Sequence, residues 1–115
     1  WDGSDEAAVA LRGCIGLLWG CQDVHVLTVV SAAAPSFPPT DALRYLARHD
    51  VKAELHELTK GATVEETLAA AVARLDGQLL VMGAFSHSRL REFMFGGVSR
   101  YFLDDLAGPA LLMAH

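Results

Sequence analysis

The chain lacks any apolar run long enough to cross a bilayer. Its longest weakly polar stretch, GCIGLLWGC at residues 13–21, falls far short of the roughly 20 residues a spanning helix needs. Basic residues are in deficit, 9 Lys and Arg against 14 Asp and Glu, and the net charge of −5 argues against nucleic acid as the partner. Cysteine is scarce. Cys14 and Cys21 are seven positions apart, and on one helix they would lie about 10 Å apart, beyond disulfide reach. They read as small, semi-buried apolar residues, and reduced thiols fit a cytoplasmic setting. The histidines, His25, His49, His56, His87 and His115, share no metal-like spacing, so no metal site is expected. No Gly-Lys-Ser/Thr follows a glycine loop, which excludes a P-loop. No Ser-His-Asp or Cys-His grouping is readable, and Ser88 and Ser99 have no identifiable base, so no enzyme is expected. No internal repeat or low-complexity tract appears.

What is present is a core. The 115 residues are 52% hydrophobic, enough for one compact domain over residues 1–115. Ser4 is placed to cap a helix, with Asp5 and Glu6 in its first turn. Ala7, Ala10, Leu11, Cys14, Ile15, Leu17 and Leu18 recur at helical spacing, which predicts a helix from Asp5 to Trp19. VHVLTVV, Val24 to Val30, predicts a buried strand. SAAAPSFPPT carries three prolines and reads as a surface connection. Thr40 then caps a helix over Asp41 to His49. KAELHEL alternates, with Glu54, His56 and Leu58 on one side, and predicts an edge strand. Thr63 and Glu66 form a capping-box pair ahead of a helix from Val64 to Leu75. Asp76-Gly77 is a turn, QLLVMG a buried strand ending at Gly83, and Val98 to Leu106 a last helix. Gly108-Pro109 precedes a final strand, ALLMA.

Helix and strand alternate throughout, which predicts an α/β fold: a three-layer α/β/α open parallel sheet of Rossmann-like type. In that architecture a strand precedes the first helix. Here it would lie before Trp1, so the domain is expected to be N-terminally truncated, with its first strand missing.

The loop GAFSHSRLREFMFGGVSR, Gly83 to Arg100, carries three glycines, three serines and three arginines after a strand. Ligands in open parallel sheets bind beyond the carboxyl ends of strands. Gly83 allows close backbone approach there, and Gly96-Gly97 precede a helix whose free N–H groups favour an anion. Arg89, Arg91 and Arg100 make a local positive island, although solvated surface charge is the simpler role for Arg89 and Arg91. The competing reading is a turn whose glycines serve only packing and capping.

With these residues in place, the chain resembles the universal stress protein family over nearly its whole length. WDGS resembles the end of that family's first strand and VHVLTVV its second. LLVMGAFSHSRLREFMFGGVSRYFLDDLAGPALLM resembles its most diagnostic region, and the HSRLRE wording is similar to bacterial tandem members. The resemblance implies an adenine nucleotide alpha hydrolase-like fold and a stress-response role. It implies ATP or AMP binding, with Mg²⁺, and a homodimer or paired tandem domain joined through the last strand. Asp2 matches the nucleotide-contacting aspartate, with Val30 near the nucleoside. Gly83, Ser86, Ser88, Gly96, Gly97, Val98 and Ser99 would surround the phosphates. Two positions depart from the family's Gly-x-x-Gly, nine residues, Gly-Ser/Thr motif: Ser86 replaces the second glycine and Gly97 the Ser/Thr. Serine at a positive-φ position costs about 1–2 kcal/mol. The alternative, a non-nucleotide interaction module of the same family pairing through Ala110 to Ala114, therefore stays open. A small hydrolase on the same fold would reveal itself by nucleotide turnover.

Overall fold

In a computed structural model, residues 1–30, 37–84 and 97–115 are described. The elements alternate as α1 (Asp5–Leu18), β1 (His25–Val30), α2 (Asp41–Arg48), β2 (Glu54–Thr59), α3 (Val64–Arg74), β3 (Leu79–Gly83), α4 (Gly97–Asp104) and β4 (Ala110–Ala114). β1 pairs with β2 and β3 with β4, both parallel. The fold is thus α/β with two parallel two-stranded pairs among the described residues.

The helix ends follow local chemistry. Ser4 caps α1 as expected, its Oγ accepting from the Ala7 amide at 3.1 Å. Thr63 caps α3 by accepting from the Glu66 amide at 3.1 Å. Thr40 does not cap α2. Pro38 starts a turn closed by the Asp41 amide at 3.2 Å, so Thr40 is already helical (φ −78°, ψ −9°) and its hydroxyl makes no capping bond. α2 and α3 end alike, each on an aspartate in the left-handed region, Asp50 (φ 59°) and Asp76 (φ 53°). The following amide reaches back five residues, Val51 to Leu46 O at 3.0 Å and Gly77 to Val72 O at 2.9 Å. These paired bonds satisfy carbonyls that a helix end leaves open. After α2 the same geometry drops Val51 into the core beside Leu46.

That core joins α1, α2 and one face of the first strand pair. Ile15, Val26, Ala42, Leu46 and Val51 are its buried members, with Leu11, Leu18, Ala53 and Leu55 packed around them. α1 also packs against β3 and β4, so one helix spans both pairs. α3 lies against β1, β2 and α4. The strands are less covered than the apolar runs suggest. In β1 only Val26 and Thr28 are buried, and β3 is half-buried along its length. Among the described residues each strand has one hydrogen-bonded neighbour, so one edge of every strand lacks a ladder partner. The cysteines differ from expectation too. Cys14 is buried, but α1 ends at Leu18 and leaves Cys21 exposed.

Candidate functional site

The segment leading into α1 is hydrogen-bonded to the middle of β1. The Trp1 main-chain nitrogen donates to Leu27 O at 2.6 Å, and the buried Thr28 hydroxyl donates to Trp1 O at 3.0 Å. Gly3 sits at φ +74°, and a Cβ on it would lie 2.5 Å from Phe37 Cβ and Cγ, a conformation and a clearance that both call for glycine. Beyond that segment, in the first turn of α1, the backbone of Glu6 and Ala7 meets Gly83. A Cβ on Gly83 would lie 2.5 Å from the Ala7 nitrogen. Residues 1–7 therefore touch the middle of β1 at one end and the carboxyl end of β3 at the other.

Asp2 and Val30 belong to this region. Asp2 is exposed, and its Oδ1 accepts from the Ser4 amide at 3.0 Å and the Ser4 hydroxyl at 2.6 Å. One carboxylate oxygen thus orders the N-cap of α1, the helix-start role open to it from sequence. Val30 is half-buried at the end of β1. The Trp1 indole N–H is buried with no hydrogen-bond partner among the described residues.

Gly97, Val98 and Ser99 form the first turn of α4, with Gly97 exposed and Ser99 buried. Glu65, in the first turn of α3, stands against Gly97. Between the two helices is an open cleft of about 380 Å³ lined by Thr63, Glu65, Glu66, Gly97, Arg100 and Asp104 among others. Its charge is mostly negative. Arg100 Nε lies 3.6 Å from Asp104 Oδ2, with both side chains largely exposed, so the pair adds little stability but occupies the arginine. Ser86, Ser88, Arg89, Arg91 and Gly96 lie outside the described residues.

A second grouping was not legible from chain spacing. His25 opens β1, and Glu54 and His56 sit on alternate positions of β2. The register sets His25 opposite Glu54 and Leu27 opposite His56, so all three side chains share the face opposite Val26 and Leu55. His25 Nδ1 and His56 Nε2 are 3.0 Å apart, and Glu54 Oε2 is 3.9 Å from each. The same-side alternation of Glu54 and His56 was readable in KAELHEL. What sequence withheld was the pairing of β1 with β2, which brings in His25 from about thirty residues away.

No protein-family model, curated protein or solved structure matches the chain.

Proposed function

We propose that the chain is a universal stress protein-like domain that binds an adenine nucleotide beyond the carboxyl ends of its strands. In this reading the two parallel pairs are halves of one open, Rossmann-like sheet, with residues 1–3 running between them. The observation that supports it is the pair of contacts made by residues 1–7, Trp1 bonded to Leu27 and Thr28 and the Glu6–Ala7 backbone pressed on Gly83. In this reading Asp2 lies toward the carboxyl end of β1 and Gly83 closes β3, on the side where ligands bind in open parallel sheets. Asp2, whose Oδ1 already holds Ser4, has a second carboxylate oxygen to offer a ribose hydroxyl. Val30 would pack on the nucleoside. Gly83, Gly97, Val98 and Ser99, with Ser86, Ser88 and Gly96, would hold the phosphates through backbone N–H groups and hydroxyls, with Mg²⁺ offsetting charge. The acidic cleft beside Gly97 favours AMP, or metal-bound ATP, over free ATP, because Glu65 and Glu66 repel uncompensated phosphate. The role is binding in a cytoplasmic stress response rather than catalysis.

Calorimetric titration of ATP and AMP, with and without Mg²⁺, tests this. Saturable binding that Asp2→Ala weakens supports it. No heat and no thermal shift at millimolar nucleotide refutes it.

A second reading, an interaction module, is favoured by β4. This strand pairs only with β3 among the described residues, and exposed Leu103 and Leu106 lie just ahead of it. Pairing of β4 with its counterpart in a second domain would cover that edge. Sedimentation of the chain with and without an Ala110–Ala114 charge substitution such as Leu112→Lys distinguishes dimer from monomer.

A further inference from the structure

The geometry points to a Zn²⁺ site made by His25, Glu54 and His56, at the opposite end of the strands from the nucleotide site. Two imidazole nitrogens and one carboxylate oxygen on one sheet face are a donor set that suits zinc, with a position left for water. The distances already approach those of a bound ion. Tetrahedral zinc with bonds of about 2.0–2.2 Å places its ligand atoms roughly 3.3 Å apart. Here the two nitrogens are 3.0 Å apart and the oxygen is 3.9 Å from each, so closing on the ion asks for shifts of well under 1 Å.

The backbone holds all three residues on one sheet face. The β1–β2 ladder sets His25 against Glu54, and the Glu54 amide donates to Val24 O at 3.0 Å, which fixes the register where the site begins. The imidazoles are sheltered, with side-chain exposures of 27% and 19%, and their rings are tilted by 57° with centroids 5.1 Å apart. Glu54 is 70% exposed and free to swing onto the ion from the solvent side. Without metal, the facing nitrogens need one proton between them, since one must donate and the other accept. A zinc ion takes the place of that proton, which passes to the far nitrogen of the donating ring as its tautomer switches, and binds both lone pairs. It would tie β1 to β2 where Val24 meets Glu54. Half-buried His49 and exposed Cys21, Asp23 and Asp50 are not part of the grouping, and the buried Cys14 is held in α1.

The test is titration of Zn²⁺ into the whole, tag-free chain against a chromophoric chelator, with Co²⁺ absorption as the readout of geometry. One equivalent should bind, with Co²⁺ bands of tetrahedral intensity and no thiolate charge-transfer band. His56→Gln and His25→Gln should each lower affinity by at least 100-fold, and Glu54→Gln by 10-fold or more. Glu54 is exposed enough that its variant keeps the fold, so Glu54→Gln decides the matter if a histidine variant does not fold. Cys21→Ser should change nothing. Failure to bind at 100 μM Zn²⁺, or binding left intact by Glu54→Gln and the histidine variants, overturns the proposal.

Discussion

Replacing Gly83 with alanine should destabilise the fold, whereas the same change at Gly13 or Gly16 should stabilise it. A Cβ at Gly83 would lie 2.5 Å from the Ala7 nitrogen, 2.7 Å from the Glu6 carbonyl carbon and 2.9 Å from Glu6 Cβ. Comfortable separation for such atoms is about 3.5–4.0 Å, so β3 and the first turn of α1 must part by about 1 Å. Two of the three obstacles are backbone, and no rotamer change relieves them. Overpacking of this kind costs about 1–3 kcal/mol. Gly13 and Gly16 are exposed within α1, with nothing inside 4 Å of an added Cβ. There alanine limits the unfolded chain and favours the helix by about 0.5–1 kcal/mol at each site. Urea denaturation followed by far-UV circular dichroism reads both signs. With a slope of about 1–3 kcal/mol per molar, Gly83→Ala should lower the midpoint by on the order of 1 M and Gly13→Ala raise it by a fraction of that. A Gly83→Ala midpoint at or above that of the parent chain would refute the close approach of α1 to β3.

Leu46→Ala should cost about 2–5 kcal/mol in the same assay, because the side chain is 1% exposed at the centre of the α1–α2 core and leaves a cavity; a loss under 1 kcal/mol would contradict that packing. Thiol labelling of the folded chain should modify Cys21 quickly and Cys14 only on unfolding, and equal rates would contradict the burial of Cys14. Burial pushes the Cys14 thiol up from its ordinary value. Its folded value thus exceeds its unfolded one, so its contribution is complete below about pH 8.5 and is lost as pH rises toward the folded value. The urea midpoint should fall over that range, and Cys14→Ala should flatten the slope.

The elements were legible because their signals are local. Ser4 and Thr63 mark helix starts through a hydroxyl three residues ahead of an amide, and ALLMA is bounded by Gly108-Pro109. Thr40 misled because the Pro38 turn closes on Asp41 and carries Thr40 into helical geometry before it can cap. Burial was harder to read. β3 looks like a central strand from its apolar run, yet it is half-buried, since apolarity does not reveal how many neighbours a strand has. In the candidate nucleotide region, Gly83 was readable as a close-approach position, but its neighbour in α1 was not. The contact of Glu65 with Gly97, which turns an expected anion site acidic, depends on how α3 meets α4. The His25–Glu54–His56 grouping was hidden for the same reason: parallel pairing joins residues distant in the chain.

Amide chemical shifts of the ¹⁵N-labelled chain during ATP–Mg²⁺ addition test most directly whether a nucleotide binds at the carboxyl ends of the strands. Saturable shifts should gather at Asp2, Val30, Gly83, Val98 and Ser99, and leave His25, Glu54 and His56 unmoved. Spectra unchanged at millimolar ATP–Mg²⁺, or shifts gathered at the amino ends of β1 and β2, would contradict it.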